Sequence, residues 1–78
     1  MNYLGNNIRF IRRVLFCKTQ LKLSESLNLS RSAIDAYEAG RNEPNINTLI
    51  KLKEISGYSI DEIITEDLET KNRIAKGF

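Results

Sequence analysis

Polar donors cluster between residues 19 and 42 in a pattern that suits anion binding better than catalysis. Gln20, Arg31 and Arg41 supply amide and guanidinium N–H groups, which donate hydrogen bonds to phosphate oxygens and to acceptor atoms on base edges. The sequence has no histidine, no glycine-rich phosphate loop and no carboxylates at catalytic spacing. These residue types favour a binding protein over an enzyme.

The length and composition of the chain limit its size, the kinds of site it can form and its cellular location. Seventy-eight residues suffice for one domain with a small core. Cys17 is the single cysteine, so neither an internal disulfide nor a Cys/His zinc site can form, and no cofactor, metal or small-molecule ligand is indicated. No apolar run approaches the roughly 20 residues that span a bilayer, and no secretory signal is evident. We expect a cytoplasmic protein without a membrane partner.

Charge is unevenly distributed along the chain. Residues 1–41 contain seven Lys and Arg against three Asp and Glu, whereas residues 42–78 contain five against seven. Double-stranded DNA would be attracted to the first half, because basic side chains that neutralise phosphates release counterions. A solvated surface with a chance asymmetry is the alternative explanation.

Apolar periodicity predicts an all-α fold of five helices. The predicted helices run from about Leu4 to Phe16, Thr19 to Leu27, Ser30 to Ala39, from after Asn47 to near Gly57, and from Ser59 through Ile64. The predicted core comprises Leu23, Leu27, Leu29, Ile34, Tyr37, Leu49, Leu52, Ile60 and Ile63. Beyond Asp67 the periodicity is lost, which predicts a domain of residues 1–67 and a tail of residues 68–78. That tail is either frayed, a short dimer-contact helix or the start of a linker.

Two short amphipathic helical patterns meet across a three-residue break. The first places Leu23 and Leu27 on one face, and the second begins at Ser30 and turns Ile34 and Tyr37 inward. This division is typical of a helix-turn-helix, whose second helix buries one stripe while residues near its N-terminus reach base edges. The residues left facing outward on the second helix are Arg31, Ser32, Asp35 and Ala36.

The chain resembles the phage-repressor family of DNA-binding domains, the Cro and lambda-repressor-like or XRE-type regulators of bacteria and phages. Six motifs in the family's order carry the resemblance: L-G-x-x-I-R-x-I-R at 4–12, T-Q-x-x-L-S at 19–24, L-S-R-S-x-I at 29–34, Y-E-x-G-R-x-E-P at 37–44, T-L-I-K-L at 48–52 and S-I-D-E-I-I at 59–64. The resemblance implies a compact five-helix lambda-repressor-like fold with the helix-turn-helix at helices 2 and 3. It further implies a transcriptional regulator, expected to be a repressor, that inserts helix 3 (about residues 30–39) into the major groove of an operator. A homodimer formed around helix 5 and the tail is also implied.

Two departures from the family pattern concern the links between helices. Asn28 stands where the family usually has glycine, and asparagine tolerates a positive φ better than most residues. The segment from Arg12 to Gln20 is one residue longer than the family spacing, which leaves the register open by one. In the family an arginine late in helix 1 pairs with the glutamate that ends helix 3, so Arg12 or Arg13 is expected to pair with Glu38.

The resemblance and the chemistry together predict a set of DNA contacts. Gln20 and Arg41 are expected at phosphates, and Arg31 either at a guanine or at a phosphate. Asp35 would accept from a cytosine amine, be held by Arg31, or point away, while Ala36 is either a thymine-methyl contact or a spacer. The complete predicted set is Thr19, Gln20, Ser30, Arg31, Ser32, Asp35, Ala36, Arg41 and Asn42.

A protein-interaction module on the same fold, such as an antitoxin or an anti-repressor partner, is the alternative function. The acidic Asp35 within the recognition helix keeps this alternative open.

Overall fold

A computed structural model describes residues 3–75 of the chain, which form helices and loops without a strand in that range. The helices are α1 (Leu4–Phe10), α2 (Gln20–Leu27), α3 (Arg31–Glu38), α4 (Ile46–Ser56), α5 (Ile60–Thr65) and α6 (Leu68–Ala75). The predicted all-α fold is confirmed. The predicted number of five helices is wrong, because the segment after Asp67 forms a sixth.

The predicted first helix changes geometry halfway along its length. After α1, residues Ile11–Leu15 form a π-helical turn, in which the N–H of Phe16 donates to the carbonyl of Ile11, five residues earlier, at 3.2 Å. A π-helical turn accommodates one residue more than an α-helical turn between the same ends. We infer that this turn accommodates the one residue by which the segment from Arg12 to Gln20 exceeds the family spacing. It leaves Arg12 partly buried and Arg13 exposed.

Gly5 permits a close approach between α1 and the end of α3. A methyl group at position 5 would lie 2.7 Å from the carbonyl oxygen of Tyr37 and 3.0 Å from that of Glu38. No other residue fits at this separation without displacing a backbone. The approach brings the arginines of the first helical segment to Glu38.

The hydrophobic core gathers residues from every helix and from the π-helical turn. Leu29, Tyr37 and Ile60, which the sequence predicts as core, are only partly buried and pack against its edge. The core consists of Leu4, Ile8, Phe10, Ile11, Leu23, Leu27, Ile34, Leu49, Leu52, Ile63 and Leu68.

Polar caps define the ends of α4 and α5. Asn45 caps α4 by accepting from the N–H of Thr48 at 2.9 Å, so the prediction that this helix begins after Asn47 is wrong by two residues. The predicted capping box of α5 is confirmed, since Ser59 and Glu62 each accept from the other's backbone N–H at 3.0 Å. A hydrogen bond from Lys71 of α6, together with this cap, lowers the pKa of Glu62 to about 2.

α6 belongs to the same core as the preceding helices. Leu68 is fully buried, and Asn7 of α1 accepts from its N–H at 3.1 Å. Asn7 also donates to the carbonyls of Ile63 and Glu66, both at 2.7 Å. Of the alternatives expected for the segment after Asp67, the described residues form a short helix up to residue 75, while residues 76–78 of the predicted tail lie outside the described residues.

Membrane-spanning helices and clusters of potential metal ligands are absent from the described part of the chain. None of its helices combines the length and apolarity needed to cross a membrane. Between residues 3 and 75, His, Cys, Asp and Glu side chains form no group of three or more that could hold a metal ion. Cys17 is an exposed free thiol in the loop before α2.

Deletion of Val14 tests the role of the π-helical turn. Val14 is 48% exposed, and removing one residue should return the turn to α-helical geometry while Ile11 and Phe16 keep their register. We expect the free energy of unfolding, measured by urea titration followed by circular dichroism, to change by less than about 1 kcal/mol.

Deletion of Glu25, an exposed residue of α2 between the buried Ser24 and Leu27, is the control. It should rotate Leu27 by about 100° out of the core and abolish cooperative unfolding. Equal losses from both deletions would show that the fold requires the π-helical turn.

Candidate nucleic-acid interface

The link between α2 and α3 has the geometry that the sequence predicts. Asn28 ends α2 in the left-handed conformation, with φ 58° and ψ 46°, and the N–H of Leu29 donates back to the carbonyl of Ser24 at 2.8 Å. Ser30 then caps α3 by accepting from the N–H of Ala33 at 3.1 Å. Within three residues the turn supplies hydrogen-bond partners for backbone groups at the end of α2 and at the start of α3. These bonds hold the second helix at a fixed angle to the first.

The N-terminus of α2 is also capped by a side chain. Thr19 accepts from the N–H of Lys22 at 3.1 Å, and Gln20 follows as the first residue of the helix. The backbone N–H groups of a first helical turn carry partial positive charge. Gln20 thus stands where a helix end and an amide side chain present donors together.

Gln20 joins the buried and exposed parts of this surface. Its amide nitrogen donates to Glu38 at 3.2 Å and, at the longer distance of 3.4 Å, to Asp35. Its amide oxygen accepts from Nη1 of Arg31 at 2.9 Å. Carboxylates only accept and guanidinium groups only donate, so these neighbours determine which way the amide points.

Beneath Gln20 lies a buried ion pair between Glu38 and Arg12, whose side chains are 1% and 13% exposed. Arg12 donates from Nε to Oε2 at 2.6 Å and from Nη2 to Oε1 at 2.9 Å, a two-point contact. Its third donor, Nη1, reaches the carbonyl of Lys18 before α2 at 3.0 Å. The structure therefore selects Arg12, and not Arg13, as the partner of Glu38.

Glu38 is ionised despite its burial. Burial raises the pKa of its carboxyl group, but hydrogen bonds from Arg12, Gln20 and Arg9 and the charge of Arg12 outweigh burial and lower the pKa below its usual value. Because the folded-state pKa lies below the unfolded one, the resulting stabilisation is present above the unfolded pKa and is lost as pH falls through the folded one.

Asp35 pairs with Arg41. It does not pair with Arg31, the residue four positions earlier on the same helix, which was one of the predicted alternatives. Nη2 of Arg41 donates to Oδ2 of Asp35 at 2.8 Å, while Arg31 donates to Gln20. The hydrogen bond from Arg41, followed by that from Gln20, lowers the pKa of Asp35. The loop after α3 is thereby tied to the middle of α3.

Ala36 is buried, with only 7% of its surface exposed, so the prediction that it faces outward is wrong. The loop after α3 folds back beside it, since the carbonyl of Ala36 accepts from the N–H groups of Arg41 at 2.9 Å and Asn42 at 3.4 Å. Helical spacing alone predicted an outward position for Ala36, because it does not include the loop that covers this residue. A methyl group so enclosed has little surface to offer a thymine.

The other predicted site residues reach the surface. Gln20 and Asp35 are partly exposed, and a chain of hydrogen bonds connects them to Arg31 and Arg41. Arg9, which is not among the predicted site residues, approaches Glu38 at 3.4 Å. Its position three residues before Arg12, on the same helical face, is the signal that could have found it. The remaining exposed members are Thr19, Ser30, Ser32 and Asn42.

Comparison with protein families matches residues 11–63 to the helix-turn-helix family model. The chain belongs to the helix-turn-helix family. Its relatives include the HTH-type transcriptional activator BcrR of Enterococcus faecalis, 38% identical over 60 residues. They also include the uncharacterized HTH-type transcriptional regulator YqaE of Bacillus subtilis (strain 168), 34% identical over 53 residues.

The aligned parts cover 70% and 68% of this helix-turn-helix chain, but only 29% of BcrR and 46% of YqaE. The chain thus spans less than half the length of these relatives. No solved structure matches it significantly. The family is one of DNA-binding transcriptional regulators, and the predicted resemblance is confirmed at that level.

Glu38→Gln tests the buried pair of this helix-turn-helix domain. The substitution keeps the shape of the side chain but leaves Arg12 without a counter-charge, which should lower the free energy of unfolding by about 2–4 kcal/mol at pH 7. At pH 3 the difference in the free energy of unfolding between wild type and variant should be smaller, because the wild-type carboxylate loses its stabilising effect as it protonates.

The matched control is Glu25→Gln on α2. Glu25 is 59% exposed and lies 3.7 Å from Lys22, so its removal should change stability by less than about 0.5 kcal/mol. Urea titrations at the two pH values measure both variants. A constant gap for Glu38→Gln at pH 7 and pH 3 would show that its ionisation does not stabilise the fold.

Proposed function

We propose that this chain is a sequence-specific DNA-binding transcriptional regulator that inserts α3 into the major groove of an operator. The observation that carries the proposal is the hydrogen-bonded chain from Arg31 through Gln20 and Asp35 to Arg41, which lies across α2, α3 and the following loop. A reading surface of this kind needs donors held in place before DNA arrives, and Glu38 beneath Gln20 provides that support.

Phosphate contacts are assigned to the two ends of the surface. Gln20 and the N-terminus of α2, capped by Thr19, form one end, where the helix dipole favours an anion. Arg41 and Asn42, both exposed in the loop after α3, form the other. Contacts of this type position the protein on the duplex without reading its sequence.

Base contacts are assigned to the first turn of α3, which Ser30 caps. Arg31 uses Nη1 for Gln20, and its remaining donors can face guanine O6 and N7, the commonest specific contact in a major groove. Ser32 is exposed beside it and can contact a base or a sugar. Ala36 is left out of the assigned contacts because it is buried.

Repression is the regulatory effect that we assign, because occupation of an operator is sufficient for it. The described part of the chain measures 36 × 25 × 21 Å, and its long dimension equals about ten base pairs of B-DNA. A relative named an activator makes activation the competing outcome. Transcription from a promoter that carries the bound site would distinguish the two by its direction of change.

A homodimer in the cytoplasm completes the proposal, with contacts around α5, α6 and the segment after them. Ile74 of α6 is 68% exposed and is an apolar residue that such a contact would bury. Two copies related by a two-fold axis would place their α3 helices about 34 Å apart on a pseudo-palindromic operator. Selection from a random DNA library should then enrich paired half-sites at that spacing.

A protein-interaction module is the second candidate, supported by exposed apolar residues away from α3. Ile46 at the start of α4 is 60% exposed, and Ile74 is 68% exposed. An antitoxin or an anti-repressor partner would use such residues to bind a protein. Such an interaction module would show no salt-dependent binding to DNA. A regulator's affinity for DNA, by contrast, falls steeply as the salt concentration is raised.

Arg31→Ala tests the assigned reading surface. We expect it to weaken binding to the selected site by about 1–3 kcal/mol and to relax the preference at one base pair. Fluorescence titrations against the selected duplex, single-pair variants of it and a random duplex measure both effects. An equal loss on every duplex would instead make Arg31 a phosphate contact.

Lys53→Ala, which removes one exposed positive charge from α4, is the charge control and should leave the base preference unchanged. Gln20→Ala and Arg41→Ala should weaken binding to all duplexes alike. Absence of salt-dependent binding by the wild-type chain would contradict the proposed function itself.

A further inference from the structure

Asp35 is an acidic group on a surface that we expect to meet a polyanion. Residues 31–42 contain two carboxylates, Asp35 and Glu38. The Glu38 side chain is 1% exposed and is neutralised by Arg12, whereas the Asp35 side chain is 44% exposed. A carboxylate near the phosphate backbone opposes binding, so its presence on α3 calls for a compensating benefit.

In the free protein Asp35 uses donors that the proposed function assigns to phosphates. Arg41 donates to its Oδ2 at 2.8 Å, and Gln20 approaches its Oδ1 at 3.4 Å. A phosphate that takes the Nη2 group of Arg41 or the Nε2 group of Gln20 withdraws that hydrogen bond from Asp35. DNA and the carboxylate compete for the same two side chains.

This competition has two unequal stages. The pair is exposed, since the Arg41 side chain is 62% accessible, and exposed ion pairs contribute little stability, so a phosphate can displace Asp35 readily. Afterwards the duplex covers the carboxylate, which loses both its partner and much of its water. A charge in that position is strongly unfavourable unless a donor replaces them.

The major groove offers few such donors. Guanine and the thymine ring present acceptors there, which repel a carboxylate, while cytosine N4 and adenine N6 present amines. The adenine amine lies beside the acceptor N7, so a carboxylate that approaches it also meets a lone pair. Cytosine has no acceptor on that edge and is the base that best satisfies Asp35.

We propose that Asp35 is a specificity-determining residue, which selects a cytosine in the operator and penalises other bases because DNA withdraws Arg41 from it. This inference rests on the proposed function, since it requires α3 to lie in the major groove. Asp35 follows Arg31 by four residues, a rise of about 6 Å, which corresponds to roughly two base-pair steps. The selected cytosine is therefore expected within about two base pairs of the position read by Arg31.

Two substitutions at position 35 separate the selection of a base from the general attraction between the protein and DNA. Asp35→Ala removes the carboxylate, so binding to a random duplex should tighten and the preference for cytosine should disappear. Asp35→Asn adds an amide donor that matches adenine N6 and N7, so the preference should move from cytosine towards adenine. Glu54→Gln on α4, which changes the charge equally at an exposed position outside both the predicted site and the proposed dimer contact, is the matched control.

The experiment begins with selection of a binding site by the wild-type chain from a random DNA library. Wild type and variants are then titrated against that duplex, its single-pair substitutions and a random duplex at one salt concentration. Replacing the cytosine should weaken wild-type binding roughly five- to tenfold, with little change for Asp35→Ala. Circular dichroism verifies that the variants remain folded.

Three results decide between the possibilities. Loss of the cytosine preference in Asp35→Ala, with the control unchanged, would support the inference. An equal weakening of Asp35→Ala on all duplexes would overturn it and make Asp35 a support for Arg41. A wild-type chain without salt-dependent DNA binding would instead overturn the proposed function on which the inference rests.

Discussion

The arrangement of helices depends on the neutralisation of one buried carboxylate. Glu38 is 1% exposed, and a charge so enclosed is tolerated only when it is paired and fully hydrogen-bonded. Its partners are Arg9 of α1, Arg12 of the π-helical turn and Gln20 at the start of α2. The backbone contact at Gly5 sets the distance across which Arg12 reaches Glu38. One acidic group thereby fixes the relative positions of the first three helices.

Polar contacts continue outward from that group to the surface. Gln20 shares its amide between the buried Glu38 and the exposed Asp35 and Arg31, so the orientation of the surface donors follows from the interior. Such support reduces the ordering that binding would otherwise require. The loop after α3 is attached through Arg41. The groups that we assign to phosphates and to bases are thus parts of one network.

Local sequence signals predicted much of this structure, and long-range packing accounts for what they missed. The left-handed Asn28 and the capping box of Ser59 follow from residue type and short spacing, so both could be predicted. The burial of Ala36 and the sixth helix could not, because the first depends on a loop that folds back and the second on Asn7, 61 positions before Leu68. The partner of Asp35 was missed for the same reason, since i, i+4 spacing within α3 favours Arg31 while Arg41 approaches from the loop.

The most direct measurement is a titration of the ¹⁵N-labelled chain with the selected duplex, followed by nuclear magnetic resonance. We expect the largest shifts at the backbone amides of Arg31 and Ser32 and at the side-chain amide of Gln20, with small shifts at Ile63 in the core. Shifts confined to α6 and the outer face of α1, with α3 unchanged, would contradict the assignment of α3 as the surface that meets DNA.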